Sequence, residues 1–184
     1  MTLAQIIYHC KKGDSKGQRQ LVDQYAPMLM TVCRRYAMAH YGAQDILQDG
    51  FVRIFNSLDQ FDDAKGSFEG WMRRIVINTA LGQLRKNKMK FRDDEISDNV
   101  IPLVDPEIYS QLGVEELLTI ITQLPEQYRI VFNLNCVEGY SHKEIAEMLS
   151  IEEGSSRSNL SRAKSILRKK ILANKTEMSW VKTG

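Results

Sequence analysis

The strongest constraint in this sequence is its apolar spacing: hydrophobic side chains recur every three or four residues and almost nowhere alternate. Residues three and four apart share one face of a helix, whereas alternation marks a half-buried strand, so the pattern predicts an all-α protein. One stripe is Leu21, Tyr25, Met28, Leu29, Val32, Cys33 and Tyr36, and Pro27 within it predicts a kink or a helix start. A second is Ile46, Leu47, Phe51, Ile54, Phe55 and Leu58; a third, after Gly70, is Trp71, Ile75, Thr79 and Leu84. Together they predict a bundle over roughly 15–90, with a short helix before Gly13 laid against it.

The periodicity stops at about Phe91 and resumes after Gly113. Arg92-Asp93-Asp94-Glu95, Ser97-Asp98-Asn99, Pro102 and Asp105-Pro106 are charges and helix breakers without a repeat. A structureless run of that length is unusual inside one compact domain, so 91–113 is read as a flexible acidic linker between two small helical domains, 1–90 and 114–174. A tail, 175–184, carries no assignment. Charge follows the same division. The net charge of +2 is +6 over residues 1–90, −8 over 91–127 and +4 over 128–184. Two basic modules on either side of an acidic segment suit contact with a polyanion at both ends.

The second module carries a more specific signal. Val114–Gln123 and Pro125–Val137 read as helices, with Pro125 as a first helical residue, where its missing N–H costs nothing. Ser141-His142-Lys143-Glu144 and Ser150-Ile151-Glu152-Glu153 both match the S-x-x-E capping box and predict two closely spaced helix starts. A short helix with Ile145, Ala146 and Leu149 inside, a tight turn and a longer helix make a helix-turn-helix. On the longer helix Leu160, Ala163 and Leu167 face the core, which leaves Arg157, Ser158, Ser161, Arg162 and Lys164 outward. Arginine pairs with guanine edges, and serine and lysine hold phosphates, so this face is a candidate for duplex DNA.

Leu124-Pro125-Glu126-Gln127-Tyr128-Arg129, then Glu138-Gly139-Tyr140-Ser141-His142-Lys143-Glu144-Ile145-Ala146, then Gly154, Arg157-Ser158 and Arg162-Ala163, resemble the domain with which bacterial sigma factors read the −35 promoter element. The first module strengthens the resemblance. Asp45-Ile46-Leu47-Gln48-Asp49-Gly50-Phe51-Val52-Arg53-Ile54-Phe55 is similar to the family's polymerase-binding helix, with Asp45, Gln48 and Asp49 opposite Phe51, Ile54 and Phe55. Phe61-Asp62, then Gly66-Ser67-Phe68-Glu69-Gly70-Trp71-Met72-Arg73-Arg74-Ile75-Val76-Ile77-Asn78-Thr79-Ala80, is similar to the segment that melts and reads the −10 element. Six basic and no acidic residues lie between Trp71 and Lys90, and Arg74, Asn78 and Arg85 share one helical face.

The resemblance implies a sigma factor of the sigma-70 family, extracytoplasmic-function subfamily, that binds core RNA polymerase and promoter DNA, as duplex and as opened strand. It assigns Asp45, Gln48 and Asp49 to core binding. Phe61, Phe68, Arg73, Arg74, Asn78 and Arg85 fall to the −10 element, and Arg157, Ser158, Ser161, Arg162 and Lys164 to the −35 element. It implies an anti-sigma factor as a further partner. Trp71 is read as core, since its spacing to Ile75 points inward. Gly50 replaces a usually larger residue and costs up to about 1 kcal/mol of helix stability relative to alanine. Ser156 and Ser161 replace an apolar and an aromatic residue, so the −35 contacts are where the likeness is weakest.

Catalysis, cofactors and metals are not expected: no phosphate-binding glycine loop or nucleophile–base pair occurs, and Cys10, Cys33, Cys136, His9, His40 and His142 are scattered. No apolar run approaches the ~20 residues of a membrane span. The N-terminus lacks a secretory signal, so a cytoplasmic location without membrane insertion is expected. Two rival readings make different demands. A stand-alone helix-turn-helix regulator would not need Asp45, Gln48 or Asp49. A sigma mimic that titrates an anti-sigma factor would tolerate loss of Arg157 and Arg162.

Overall fold

A computed structural model describes residues 1–38, 41–86 and 114–181. The described residues are helical apart from short turns and one isolated bridge between Met38 and Tyr41. They form two units, Met1–Met89 and Lys90–Gly184. The linker assigned to 91–113, and His40, lie outside the described residues.

The first unit holds α1 (Leu3–Lys11), α2 (Ser15–Tyr36), α3 (Ala43–Ser57) and α4 (Phe68–Lys86), with short 3₁₀ turns at Leu58–Gln60 and Asp63–Lys65. Each start has a local cause. Thr2 and Gln5 form a capping box on α1. Asp14 accepts the Lys16 amide at 2.9 Å to open α2, and its other oxygen bonds His9 Nδ1 at 2.9 Å. Ser67 Oγ accepts the Gly70 amide at 3.1 Å, so α4 begins three residues before the Trp71 stripe. Helix α2 runs through Pro27 without starting or stopping there. Packing on three neighbours, α1, α3 and α4, outweighs the one backbone hydrogen bond that the proline removes.

The core of this unit is Ile6, Leu21, Leu29, Val32, Cys33, Ile46, Ile54, Leu58, Met72, Val76, Ala80 and Leu81, all essentially inaccessible. On α4 the buried line is therefore Phe68, Met72, Val76, Ile77, Thr79, Ala80 and Leu81. Trp71 and Ile75 are only half-buried on its flank, so the expected core role of Trp71 is corrected. Two glycines set how closely helices approach. A Cβ on Gly50 would lie 2.9 Å from a Val76 methyl, and one on Gly17 would lie 2.6 Å from His9 Cβ. Gly50 is thus a contact point between α3 and α4.

The second unit holds α5 (Val114–Thr122), α6 (Glu126–Phe132), a π-helical turn (Asn133–Val137), α7 (His142–Leu149) and α8 (Glu153–Val181). Pro125 stands just before α6 rather than in its first turn; its carbonyl accepts the Tyr128 and Arg129 amides at 3.0 Å. The capping box at Ser141 and Glu144 forms as expected. The one expected at Ser150 does not. Ser150 instead ends α7 in the left-handed region (φ 56°, ψ 49°), and Glu152 supplies the first carbonyl of α8, bonding the Ser156 amide at 3.1 Å. Only Ile151 and Glu152 separate the left-handed stop at Ser150 from the start of α8, so the position before the helix falls to Glu152 and not to Ser150. Ile120, Ile121, Leu124, Ala163, Leu167 and Ile171 form the core that joins α5 to α8. Helix α8 continues through Val181, beyond the boundary expected at 174.

Candidate nucleic-acid interface

Three surfaces carry the residues singled out above. The first is the outer face of α3. Asp45, Gln48 and Asp49 are exposed there, while Ile46, Phe51 and Ile54 are buried behind them. Asp45 has a second task, accepting the Gly42 amide at 3.0 Å at the start of the helix. Tyr41 Oη donates to Asp49 Oδ2 at 2.7 Å and so holds that carboxylate in place. Burial, followed by the Asp49 carboxylate, pushes the Tyr41 phenol up to about 12, so it remains a donor throughout the physiological range. Sequence reasoning missed Tyr41 and Val52. Val52 is 54% exposed and follows Asp45, Gln48 and Asp49 at helical spacing, placing an apolar side chain on an otherwise polar face.

The second surface is the start of α4 with the loop before it. A cavity of about 210 Å³ opens there, between Phe61 and Asp62 on one side and Trp71 and Arg74 on the other. A single water needs about 10–15 Å³ on the same measure, so the space is larger than one ion or solvent molecule fills. Lys65, Gly66, Ser67 and Gly70 complete its rim. Gly66 has φ +144°, a conformation open to glycine, and Lys65 Nζ pairs with Asp62 Oδ2 at 3.2 Å. The pocket has an aromatic back wall. Phe61 meets Phe68 edge-on at 4.9 Å, and Phe68 stacks on Trp71 at 5.6 Å.

Phe68 is itself buried and packed on Tyr25, so it supports the wall without reaching the opening. Arg74 and Arg85 are exposed and Asn78 is half-buried; Trp71 leads this same face, three residues before Arg74 and seven before Asn78. Arg73 does not join them, because one residue turns the helix by about 100°. The signal for Trp71 lay in its spacing to Arg74 and Asn78. That for Asp62, Lys65 and Ser67 lay only in the turn that gathers them.

The third surface is the helix-turn-helix of α7 and α8. Arg157, Ser161 and Lys164 are exposed and Ser158 is half-buried. Arg157 pairs with Glu153 one turn earlier, an exposed contact worth about 0.3–0.5 kcal/mol, too little to withhold it from a phosphate or base. Arg162 is less outward than expected: half-buried, it donates to Tyr128 Oη on α6 at 3.4 Å. The polar replacement at Ser156 has a structural reason. Ser156 is fully buried, and its hydroxyl shares a 2.9 Å hydrogen bond with His142 Nδ1, pinning α7 to α8. Among the described residues no cluster of metal-ligating side chains occurs, and no helix is long and apolar enough to cross a membrane. Burial raises the Cys10 thiol and pushes that of Cys33 up to about 12, which disfavours the reactive thiolate.

The His142 contact carries a pH dependence. Desolvation, then the nearby Arg157 and, more weakly, Lys164, lower the His142 pKa against the opposing pull of Glu153. The folded state therefore favours neutral imidazole. Its stabilisation is complete above the ordinary value of 6.5 and is lost as pH falls through the lower, folded value. The urea midpoint of the second unit should drop between pH 7 and pH 5, and His142→Asn should flatten that drop. An unchanged pH profile in the variant would exclude His142 as its source.

Residues 21–89 match the family model of Sigma-70 region 2, and residues 114–167 match that of Sigma-70, region 4. Together the two matches cover well over half of the chain and coincide with the two helical units. The chain is 28% identical over 188 residues to the ECF RNA polymerase sigma factor SigW of Bacillus subtilis, covering 93% of this chain and 97% of that protein. It is 30% identical over 165 residues to the ECF RNA polymerase sigma factor SigE of Mycolicibacterium smegmatis, covering 86% and 63% respectively. The fold is similar to that of the sigma factor RpoE of Bartonella quintana, solved with the anti-sigma factor NepR. That likeness has a TM-score of 0.50 at 23% identity and covers 84% of this chain and 96% of that one. The chain belongs to the sigma-70 family of RNA polymerase sigma factors, in its extracytoplasmic-function group.

Proposed function

We propose the following division of labour within this promoter-recognising sigma factor. The outer face of α3, through Asp45, Gln48, Asp49 and Val52, docks on core RNA polymerase. The pocket between Phe61 and Arg74 takes one base of the opened −10 strand. Arg74, Asn78 and Arg85 follow the strand's backbone, with Asn78 offering a donor and an acceptor to a base edge. Arg157, Ser158, Ser161 and Lys164 meet duplex DNA at the −35 element, and Arg162 braces the recognition helix through Tyr128. Neither chemistry nor a cofactor is required of the chain: family members are transcription initiation factors, and bond formation belongs to the polymerase. The reading places the chain in the cytoplasm, where the family works, with an anti-sigma factor as its regulator.

The observation that carries this reading is the aromatic-backed cavity at the head of a basic helical face. A base leaves its stack only into a pocket that replaces the lost stacking, and the phosphates beside it need cations. The test is transcription in vitro from genomic templates with core polymerase, with and without the chain. Promoter-specific transcripts should depend on it, and a set of products that ignores its presence would overturn the reading. Asn78→Ala should lose discrimination among −10 sequences, by about 1–3 kcal/mol at the affected base, while core affinity stays unchanged. Equal loss of core binding would remove Asn78 from the assigned role.

A further inference from the structure

The turn that leads into α3 does more than connect two helices. Tyr41 and Gly42 are consecutive residues of that turn, and each donates to one carboxylate of the face proposed to dock. The Gly42 amide bonds Asp45 Oδ2 at 3.0 Å, and the Tyr41 hydroxyl bonds Asp49 Oδ2 at 2.7 Å. Asp45 and Asp49 stand four residues apart on one helical face, a spacing at which like charges repel. Two donors from one turn offset that repulsion, and each bond engages a single oxygen of its carboxylate. A hydroxyl bonded to a carboxylate at this length is charge-assisted, roughly twice as strong as a neutral hydrogen bond.

Tyr41 is itself anchored. Its amide donates to the Met38 carbonyl at 3.3 Å, and its carbonyl accepts the Met38 amide at 3.0 Å. Met38 is buried, so this bridge ties Tyr41 to the packed part of the bundle. The Tyr41 side chain is half-buried, and Gln83 of α4 comes within hydrogen-bonding reach of the same phenol. A residue outside α3, held by the core and by α4, thus grips a carboxylate that is exposed on α3.

We propose that Tyr41 is a positioning residue for docking on core RNA polymerase, acting through Asp49 by holding its carboxylate in the orientation that the partner surface meets. This role rests on the reading of α3 as the docking face and adds to it a residue that precedes the helix. An aspartate on an open helical surface samples several rotamers, and ordering a side chain on association lowers affinity. The hydrogen bond from Tyr41 does that ordering before the partner arrives and leaves the charge as it is. The two contributions therefore separate. Loss of the hydroxyl should shorten the life of the complex without altering long-range attraction, whereas loss of the carboxylate should change both.

The experiment is a double-mutant cycle on the full chain, read as association and dissociation rates with labelled core polymerase over a range of salt. Tyr41→Phe should speed dissociation by about three- to tenfold and keep the salt dependence of association. Asp49→Ala should weaken core affinity by about thirtyfold or more and reduce that salt dependence. In the Asp49→Ala background, Tyr41→Phe should change affinity by less than about twofold, because the group it acts on is gone. In the Asp49→Asn background, which keeps an acceptor, loss of the hydroxyl should again be felt. Far-UV circular dichroism sets the folded fraction of each variant, so that the rates refer to folded chain. If Asp49→Ala weakens docking and Tyr41→Phe does not, the docking face stands and the role of Tyr41 is overturned. It is equally overturned if Tyr41→Phe weakens docking to the same extent with and without the Asp49 carboxylate, the mark of a merely structural residue. If Asp49→Ala binds core polymerase as wild type does, the docking reading falls and the role of Tyr41 falls with it.

Discussion

Charge reversal at Asp49, Asp49→Arg, is expected to eliminate promoter-dependent transcription by removing the chain from core polymerase. Asp49 is exposed on α3, between Gln48 and Val52 on the face proposed to dock, and its carboxylate is fixed by the 2.7 Å hydrogen bond from Tyr41. A preorganised charge pays little entropy when it meets its partner, so its loss falls directly on affinity. Losing one member of a close interfacial charge pair costs about 2–5 kcal/mol. The lower figure already corresponds to a core affinity about thirtyfold weaker. Titration of labelled core polymerase measures this, with far-UV circular dichroism to verify the helices. Asp49→Asn keeps the hydrogen bond from Tyr41 and loses only charge, so it should fall between wild type and Asp49→Arg. Wild-type core affinity in Asp49→Arg would reject α3 as the docking face.

A large effect on stability is expected at Gly50. Its Cβ position lies 2.9 Å from a Val76 methyl, closer than packed carbons tolerate, and valine is stiff at χ1. Gly50→Leu should destabilise the first unit by about 1–3 kcal/mol through overpacking, read as a lower urea midpoint with an unchanged slope. Gly50→Ala sets two effects against each other: a gain of up to about 1 kcal/mol in helix propensity and the cost of separating α3 from α4. Val76→Ala should relieve the second without touching the first. The double variant should then be more stable than the two single changes predict by addition, and strict additivity would show that the two positions do not press on each other.

Gly50 also illustrates why parts of this fold were not legible in the chain. Read along one helix, a glycine is a weakness; read between two helices, it is the condition for their approach. The Trp71 stripe failed in the same way. Period alone identifies a face as apolar, but α4 is apolar over much of its circumference, and contact with α2 and α3 chose Met72 and Val76 as its centre. Ser150 matched a capping box by spacing, yet the tightness of the turn made it a helix stop. Ser156 looked like a departure from pattern until its burial against His142 supplied the missing partner.

What the sequence determined by itself is whatever depends on neighbours within a few residues: helix type, most starts, the break after the first module and the residues of α3 and α8 that face outward. Local spacing decides those, because three- and four-residue periodicity and side-chain caps act within one or two turns. Tertiary structure alone decided the rest. It gathered Phe61, Asp62, Lys65, Trp71 and Arg74 around one cavity, turned Arg162 toward Tyr128, and set the Tyr41 phenol against Asp49. Those juxtapositions join residues from different helices and turns, and no period along a single element encodes them.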